Sequence, residues 1–169
     1  MTVDEIRNIK DIEKDIIPLV YEINQIRGIK TIDSCGGHTK KDHLDIRYPF
    51  VSFIFSETSI GLDNIALLYN VGKIFGWITK FNGVRYINED SRLIPSILKQ
   101  SDVFDRSKII STYLTFLPFN AVKNPTNTCS NFFADDVEEV VKEKEKIEEI
   151  ASCIRENNDN RFAFQFRTE

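Results

Sequence analysis

Between Pro49 and Phe55 the chain reads Pro-Phe-Val-Ser-Phe-Ile-Phe, apolar at odd and even positions alike, with Ser52 as the one polar member. A strand sends alternate side chains to opposite faces, so a segment of this kind needs cover on both sides and belongs inside a sheet. Pro49 falls at its start, where a strand tolerates proline. The rest of the chain has to supply the neighbouring strands and the covering layers.

Before this segment, Ile6, Ile9, Ile12, Ile16, Val20, Ile23 and Ile26 recur at three-and-four spacing, which predicts amphipathic helix over residues 3–27. Pro18 predicts a break or kink near Asp15 to Ile17, and Gly28 a stop. Ile29 to Ser34 reads as a short strand, and Thr39 to Tyr48 as a polar, exposed loop.

After the segment, Thr58 or Ser59 can cap a helix running to about Phe75. Trp77 to Phe81 and Val84 to Asn88 flank Asn82-Gly83 and predict a hairpin, with Trp77 and Tyr86 read as core aromatics rather than a stacking surface. Arg92 to Leu98 contains Pro95 and reads as edge strand or irregular structure; Lys108 to Phe116 is β-branched and aromatic, hence a strand; residues 118–131 read as loop. Phe133 to Glu156 predicts one long helix whose Glu and Lys residues form a solvated face, with Cys153 a small hydrophobe beside its apolar stripe. Asn157 to Asn160 predicts a break, and the alternation Phe162, Phe164, Phe166 a terminal strand. The expectation is an α+β fold in a single domain over residues 1–169: a mixed sheet of about five to seven strands covered by helices.

Charge and cysteine usage narrow the function. With 22 basic and 26 acidic residues the formal charge is −4, and a pI near 5.3 means that nucleic-acid binding needs a local patch. No stretch approaches the roughly 18 apolar residues of a membrane span. Three widely spaced cysteines, Cys35, Cys129 and Cys153, argue against a disulfide framework and for the reducing cytoplasm.

Chemistry concentrates in Thr31-Ile32-Asp33-Ser34-Cys35-Gly36-Gly37-His38. A glycine pair directly after a strand lets backbone N–H groups converge on a carboxylate or phosphate. On this reading Cys35 and His38 are the catalytic candidates, the thiol needing a lowered pKa from the imidazole and the turn. Asp33, Ser34, Gly36, Gly37, Lys40, Lys41 and Arg47 are the substrate-binding candidates, for a small-molecule or anionic ligand. A metal reading stands beside it: Cys35, His38 and His43 have the spacing Cys-x2-His-x4-His, and Asp42, Asp45 or Cys129 can add a fourth ligand.

Ile17-Pro18-Leu19-Val20, Ile23-Asn24, Thr31, Ser34-Cys35-Gly36-Gly37-His38 and Pro49-Phe50-Val51-Ser52-Phe53 together resemble small proteins in which a helix precedes a strand ending Ser-Cys-x-Gly-His and a second strand begins Pro-Tyr/Phe-Val-x-Phe. More distantly, about residues 16–55 resemble the wybutosine-synthesis tRNA methyltransferase family, where a similarly placed strand ends Ser-Ser-Cys-Ser-Gly-Arg. Ser34, Cys35 and Gly37 match that motif; Asp33 and Gly36 replace serines and His38 replaces arginine. The resemblance implies an α+β fold that uses S-adenosylmethionine to methylate a modified guanosine beside the anticodon of phenylalanine tRNA, with His38 contacting substrate or moving a proton. The alternative expectation is a non-enzymatic protein that binds a small anion or a metal, or meets a partner.

Overall fold

The computed structural model describes residues 12–39, 46–55, 59–87, 109–124, 127 and 132–165. A short 3-10 turn, Lys14–Ile16, leads into helix α1, Ile17–Gln25, with Pro18 in its first turn where no intrahelical N–H bond is lost. The predicted break near Asp15 to Ile17 is this junction; Ile12 and Glu13 ahead of it are not helical, and residues 3–11 lie outside the described residues. Strand β1 (Ile29–Cys35), β2 (Phe50–Phe55), helix α2 (Ser59–Phe75), β3 (Trp77–Ile87), β4 (Ile109–Pro118), a one-turn helix α3 (Phe119–Lys123), α4 (Val137–Glu145) and α5 (Ile147–Gln165) follow in order.

Among the described residues the sheet has four strands in the order β1-β2-β4-β3, every neighbouring pair antiparallel. The α+β class stands, while the expected mixed sheet of five to seven strands does not. Two local readings account for part of the excess. Trp77 to Ile87 is one strand, since Phe81 pairs with Leu114 and Val84 with Thr112, leaving Asn82 and Gly83 opposite a single residue of β4. The pair forms a bulge rather than a hairpin turn because the partner strand continues past it. Asn82 is buried and donates from Nδ2 to the Thr115 hydroxyl.

The second misreading is the terminal strand: α5 continues through the asparagines to Gln165. Asn158 sits four residues beyond Ile154 on the buried stripe and donates to the Gln25 carbonyl (3.4 Å), while Asn157 donates back to the Cys153 carbonyl (2.8 Å). The asparagine amides bond to backbone carbonyls of α1 and of α5 itself instead of stopping the helix. Arg92 to Leu98, the other proposed strand, lies outside the described residues.

As expected, β2 is interior and covered on both sides. Val51 and Phe53 face a large core with Leu114, Phe116 and Trp77 of the sheet, closed by Leu19, Val20 and Ile23 of α1, Leu67, Leu68 and Val71 of α2, and Ile147, Ile150 and Ile154 of α5. Phe50 faces a smaller core with Cys35, Leu117, Tyr48, Ala121, Phe132, Ala134 and Val140. Val140 and Ile147 therefore serve different cores, which is why the single predicted late helix is two, divided at Lys146. Cys153 is half-buried against the larger core and Trp77 fully buried in it, as read from the sequence. Among the described residues no helix is long and apolar enough to cross a membrane.

Candidate functional site

The end of β1 and the glycine turn lie on the smaller core. Cys35 points into it from the last position of the strand, and its sulfur accepts the Gly37 N–H at 3.4 Å. Gly37 has φ +86°, a conformation that L side chains rarely adopt, and a β-carbon there would stand 3.1 Å from Val140 Cγ1 and 3.2 Å from Pro49 Cδ. His38 and Arg47 then exchange both backbone hydrogen bonds, at 3.0 and 3.1 Å, and Arg47 also bridges to Phe133. Directly paired residues of this kind present their side chains on one side of the ladder. The Arg47 guanidinium stacks over the Phe133 ring at 5.1 Å.

Two residues absent from the sequence reading complete the site. Glu13, in the extended step before the 3-10 turn, accepts the Gly36 N–H through Oε2 and meets His38 Nε2 through Oε1 at 2.6 Å. Gly36 is what lets it approach, because a β-carbon at that position would fall 2.6 Å from Oε2. The carboxylate expected to come from a ligand is thus supplied by the chain itself. Lys144 of α4 donates to the Gly37 carbonyl (3.1 Å) and pairs with Asp15 (2.8 Å), tying the turn to the segment that carries Glu13. Nothing local in the sequence marks either residue: Glu13 reads as a position within an amphipathic helix, and Lys144 as one charge in a run of Glu and Lys.

The candidate residues are only partly brought together. Cys35, Gly36, Gly37, His38 and Arg47 cluster with Glu13. Ser34 alternates to the side of β1 opposite Cys35, and Asp33 is exposed across from Ser52 in the neighbouring register row. Lys40, Lys41 and His43 lie outside the described residues, as does Cys129. Glu13, Cys35 and His38 each place a ligand atom within 4.8 Å of the others, so the three-residue metal set within the described residues has Glu13 where the spacing had offered His43. Burial, the largest influence, pushes the Cys35 thiol up to about 11; the Gly37 N–H and the Arg47 charge oppose this and Glu13 adds to it. That is the reverse of the lowered pKa a nucleophilic thiolate needs.

No family model matches the chain, and no curated protein does. Among solved structures, the PH1069 protein of Pyrococcus horikoshii is similar at 15% identity and a TM-score of 0.38, the alignment covering 92% of this chain and 90% of that one.

Proposed function

We propose that this chain is a small S-adenosylmethionine-dependent methyltransferase of the wybutosine type, acting on a modified guanosine of tRNA, with His38 as its proton acceptor. The observation that carries the reading is the His38–Glu13 pair, 2.6 Å apart, at the end of the turn whose residues bear the resemblance. A nitrogen that gains a methyl group has to lose a proton. A carboxylate fixed at Nε2 orients the imidazole and favours the tautomer with its proton on Nε2 and its lone pair on Nδ1. Glu13 is itself fixed by the Gly36 N–H, so the pair is pre-organised.

S-adenosylmethionine, when bound, supplies the electrophilic methyl group. The turn fits such a ligand in one respect: the Arg47 guanidinium, stacked on Phe133, stands on the His38 side of the ladder with the geometry to meet a carboxylate. Cys35, protonated and buried, shapes the wall. Lys40 and Lys41 are assigned to phosphates of the nucleic acid.

The close approach of the Glu13, Cys35 and His38 ligand atoms favours a second reading, a zinc-type cation held by carboxylate, thiolate and imidazole with a fourth position open. One set of melting curves separates the two, since a ligand selective for the native state raises stability by mass action. With S-adenosylmethionine a dose-dependent rise that survives chelator is expected, together with methyl incorporation into guanosine-modified tRNA. Glu13→Gln and His38→Gln each lower that incorporation by about 10²- to 10⁴-fold. A rise with Zn²⁺ alone, lost in Cys35→Ser, replaces the first reading by the second. No rise with either sinks both.

A further inference from the structure

Helix α4 meets the glycine turn through two side chains one helical turn apart. Val140 is fully buried, and its Cγ1 lies 3.1 Å from where a β-carbon of Gly37 would stand. Lys144 donates to the carbonyl of the same glycine at 3.1 Å. Residues four apart share a helix face, so the face that packs on the smaller core also delivers an ammonium to the turn. That ammonium has a second acceptor, Asp15 Oδ2 at 2.8 Å, on the segment leading into α1. Two residues earlier in this segment stands Glu13, whose carboxylate meets the Gly36 N–H and His38 Nε2. Both acidic residues lie against Gly36: a β-carbon there would stand 3.3 Å from Glu13 Cβ and 3.6 Å from Asp15 Cβ.

We infer that Lys144 is a positioning residue of the site, clamping the 13–15 segment onto the glycine turn and so holding the Glu13 carboxylate against His38. Its side chain is 25% exposed, against 60% for Asp15, and a charge partly withdrawn from water has to be paired. The helix that carries it is fixed independently of the turn, by the Trp77 Nε1 bond to Glu143 (2.7 Å) and the Tyr48 hydroxyl bond to Glu139. Glu13 has no such support of its own. It sits in extended backbone with its side chain 40% exposed, beside a half-buried Ile12, and the nearest fully buried residue after it is Ile16. A functional group on such a segment gains precision when a neighbour is tied to a rigid element. What the Glu13–His38 pair does to a substrate rests on the proposed function; the clamp itself involves only this chain, and it serves the pair equally if the pair ligates a cation.

The experiment compares Lys144→Met, Asp15→Ala and Lys144→Arg in the full chain, by proton NMR of the His38 Nε2–H and by methyl incorporation. A ring N–H bonded to a fixed carboxylate is protected from exchange with water and gives its own resonance, which His38→Gln identifies by its disappearance. Lys144→Met keeps most of the apolar stem and removes the charge. Asp15→Ala, at an exposed position, leaves Lys144 on the Gly37 carbonyl and removes only the tie to the segment. Both should broaden the resonance away while the melting temperature stays within a few degrees of the parent chain, and both should lower incorporation roughly 10- to 100-fold by misplacing Glu13. Lys144→Arg, whose fork can donate to both acceptors, should keep the resonance and the incorporation. Added to Glu13→Gln, Lys144→Met should cost no further incorporation, because the carboxylate it positions is gone. A resonance retained in Lys144→Met and Asp15→Ala overturns the inference and leaves Lys144 a structural tie. A further loss of incorporation in the double variant, or a parent chain with no protected His38 N–H at low temperature, overturns it as well. A parent chain that transfers no methyl group sinks the proposed function instead, and the resonance then decides the clamp.

Discussion

Adjacent glycines do different work in the turn, and substitution should separate them. A β-carbon at Gly36 meets the far end of a flexible side chain, Glu13 Oε2 at 2.6 Å, which can swing away. Gly36→Ala is therefore expected to keep the melting temperature within a few degrees while breaking the Glu13–His38 contact, so that it mimics Glu13→Gln in any assay of the site. At Gly37 the backbone itself is committed, with φ +86° and Val140, Pro49 and the Arg47 carbonyl within 3.3 Å of a β-carbon. Gly37→Ala should cost about 1–3 kcal/mol of stability, read by urea denaturation; equal stabilities for the two variants would sink the distinction. Glu22 gives a test of opposite sign. It is buried on α1, and burial raises its carboxyl pKa, with Arg155 (3.8 Å away) opposing and Asp159 reinforcing the rise. A group whose pKa is raised in the folded state contributes stability that is full below its unfolded pKa and lost as pH rises through the folded value. At neutral pH the carboxylate is thus a liability, and Glu22→Gln should raise the melting temperature at pH 7, the gain vanishing below about pH 4. Arg155 is more than half exposed and loses little by it. A lower melting temperature at pH 7 would refute this.

At the scale of elements, sequence pattern located β1, β2, α2 and β4 to within a few residues, because each is fixed by its own apolar spacing or by β-branched and aromatic content. It failed where a neighbour decides. Asn82-Gly83 has the chemistry of a hairpin turn, yet whether a chain turns there depends on what lies opposite, and β4 runs past both halves. The asparagines of α5 look like a stop until Gln25 is placed across from Asn158. The late helix divides for a reason equally remote: buried Glu143 of α4 accepts from Trp77 Nε1 at 2.7 Å and from Lys146 at 2.8 Å, and Tyr48 donates its hydroxyl to Glu139. These bonds dock α4 against the start of β3 and the smaller core. Glu143→Ala leaves a fully buried indole N–H without its acceptor, and should cost about 1–3 kcal/mol. Glu145→Ala, on the exposed side of the same helix, should cost well under 1 kcal/mol. Equal losses in a denaturant titration would show that the Trp77 bond does not anchor the helix.

Taken whole, the molecule is a sheet with unequal cores, and the candidate site belongs to the smaller one. The cysteine, glycines and histidine of the turn were legible because the chemistry is contiguous; Glu13 and Lys144 were not, lying 25 residues before His38 and 107 after Gly37 among charges that any solvated helix face would carry. Three helices and Phe53 close the large core, whereas the turn is held by Phe50, Phe132, Val140 and the short ladder in which Tyr48 N–H donates to the Phe132 carbonyl (2.8 Å) and Ala134 N–H to that of Ile46 (2.8 Å). Regions with fewer buried apolar partners open at lower free energy than the global transition. Phe132 is 1% exposed and packs edge-on against Phe50, ring centres 5.0 Å apart, so Phe132→Ala removes about 3–5 kcal/mol of packing from the core that seats the turn. Hydrogen exchange in this variant should accelerate first at the amides of His38, Arg47 and Tyr48, while those of Phe53 and Phe116 keep the rate set by global unfolding. Uniform acceleration across both sets would mean that the two cores melt as one and that the site has no stability of its own to lose.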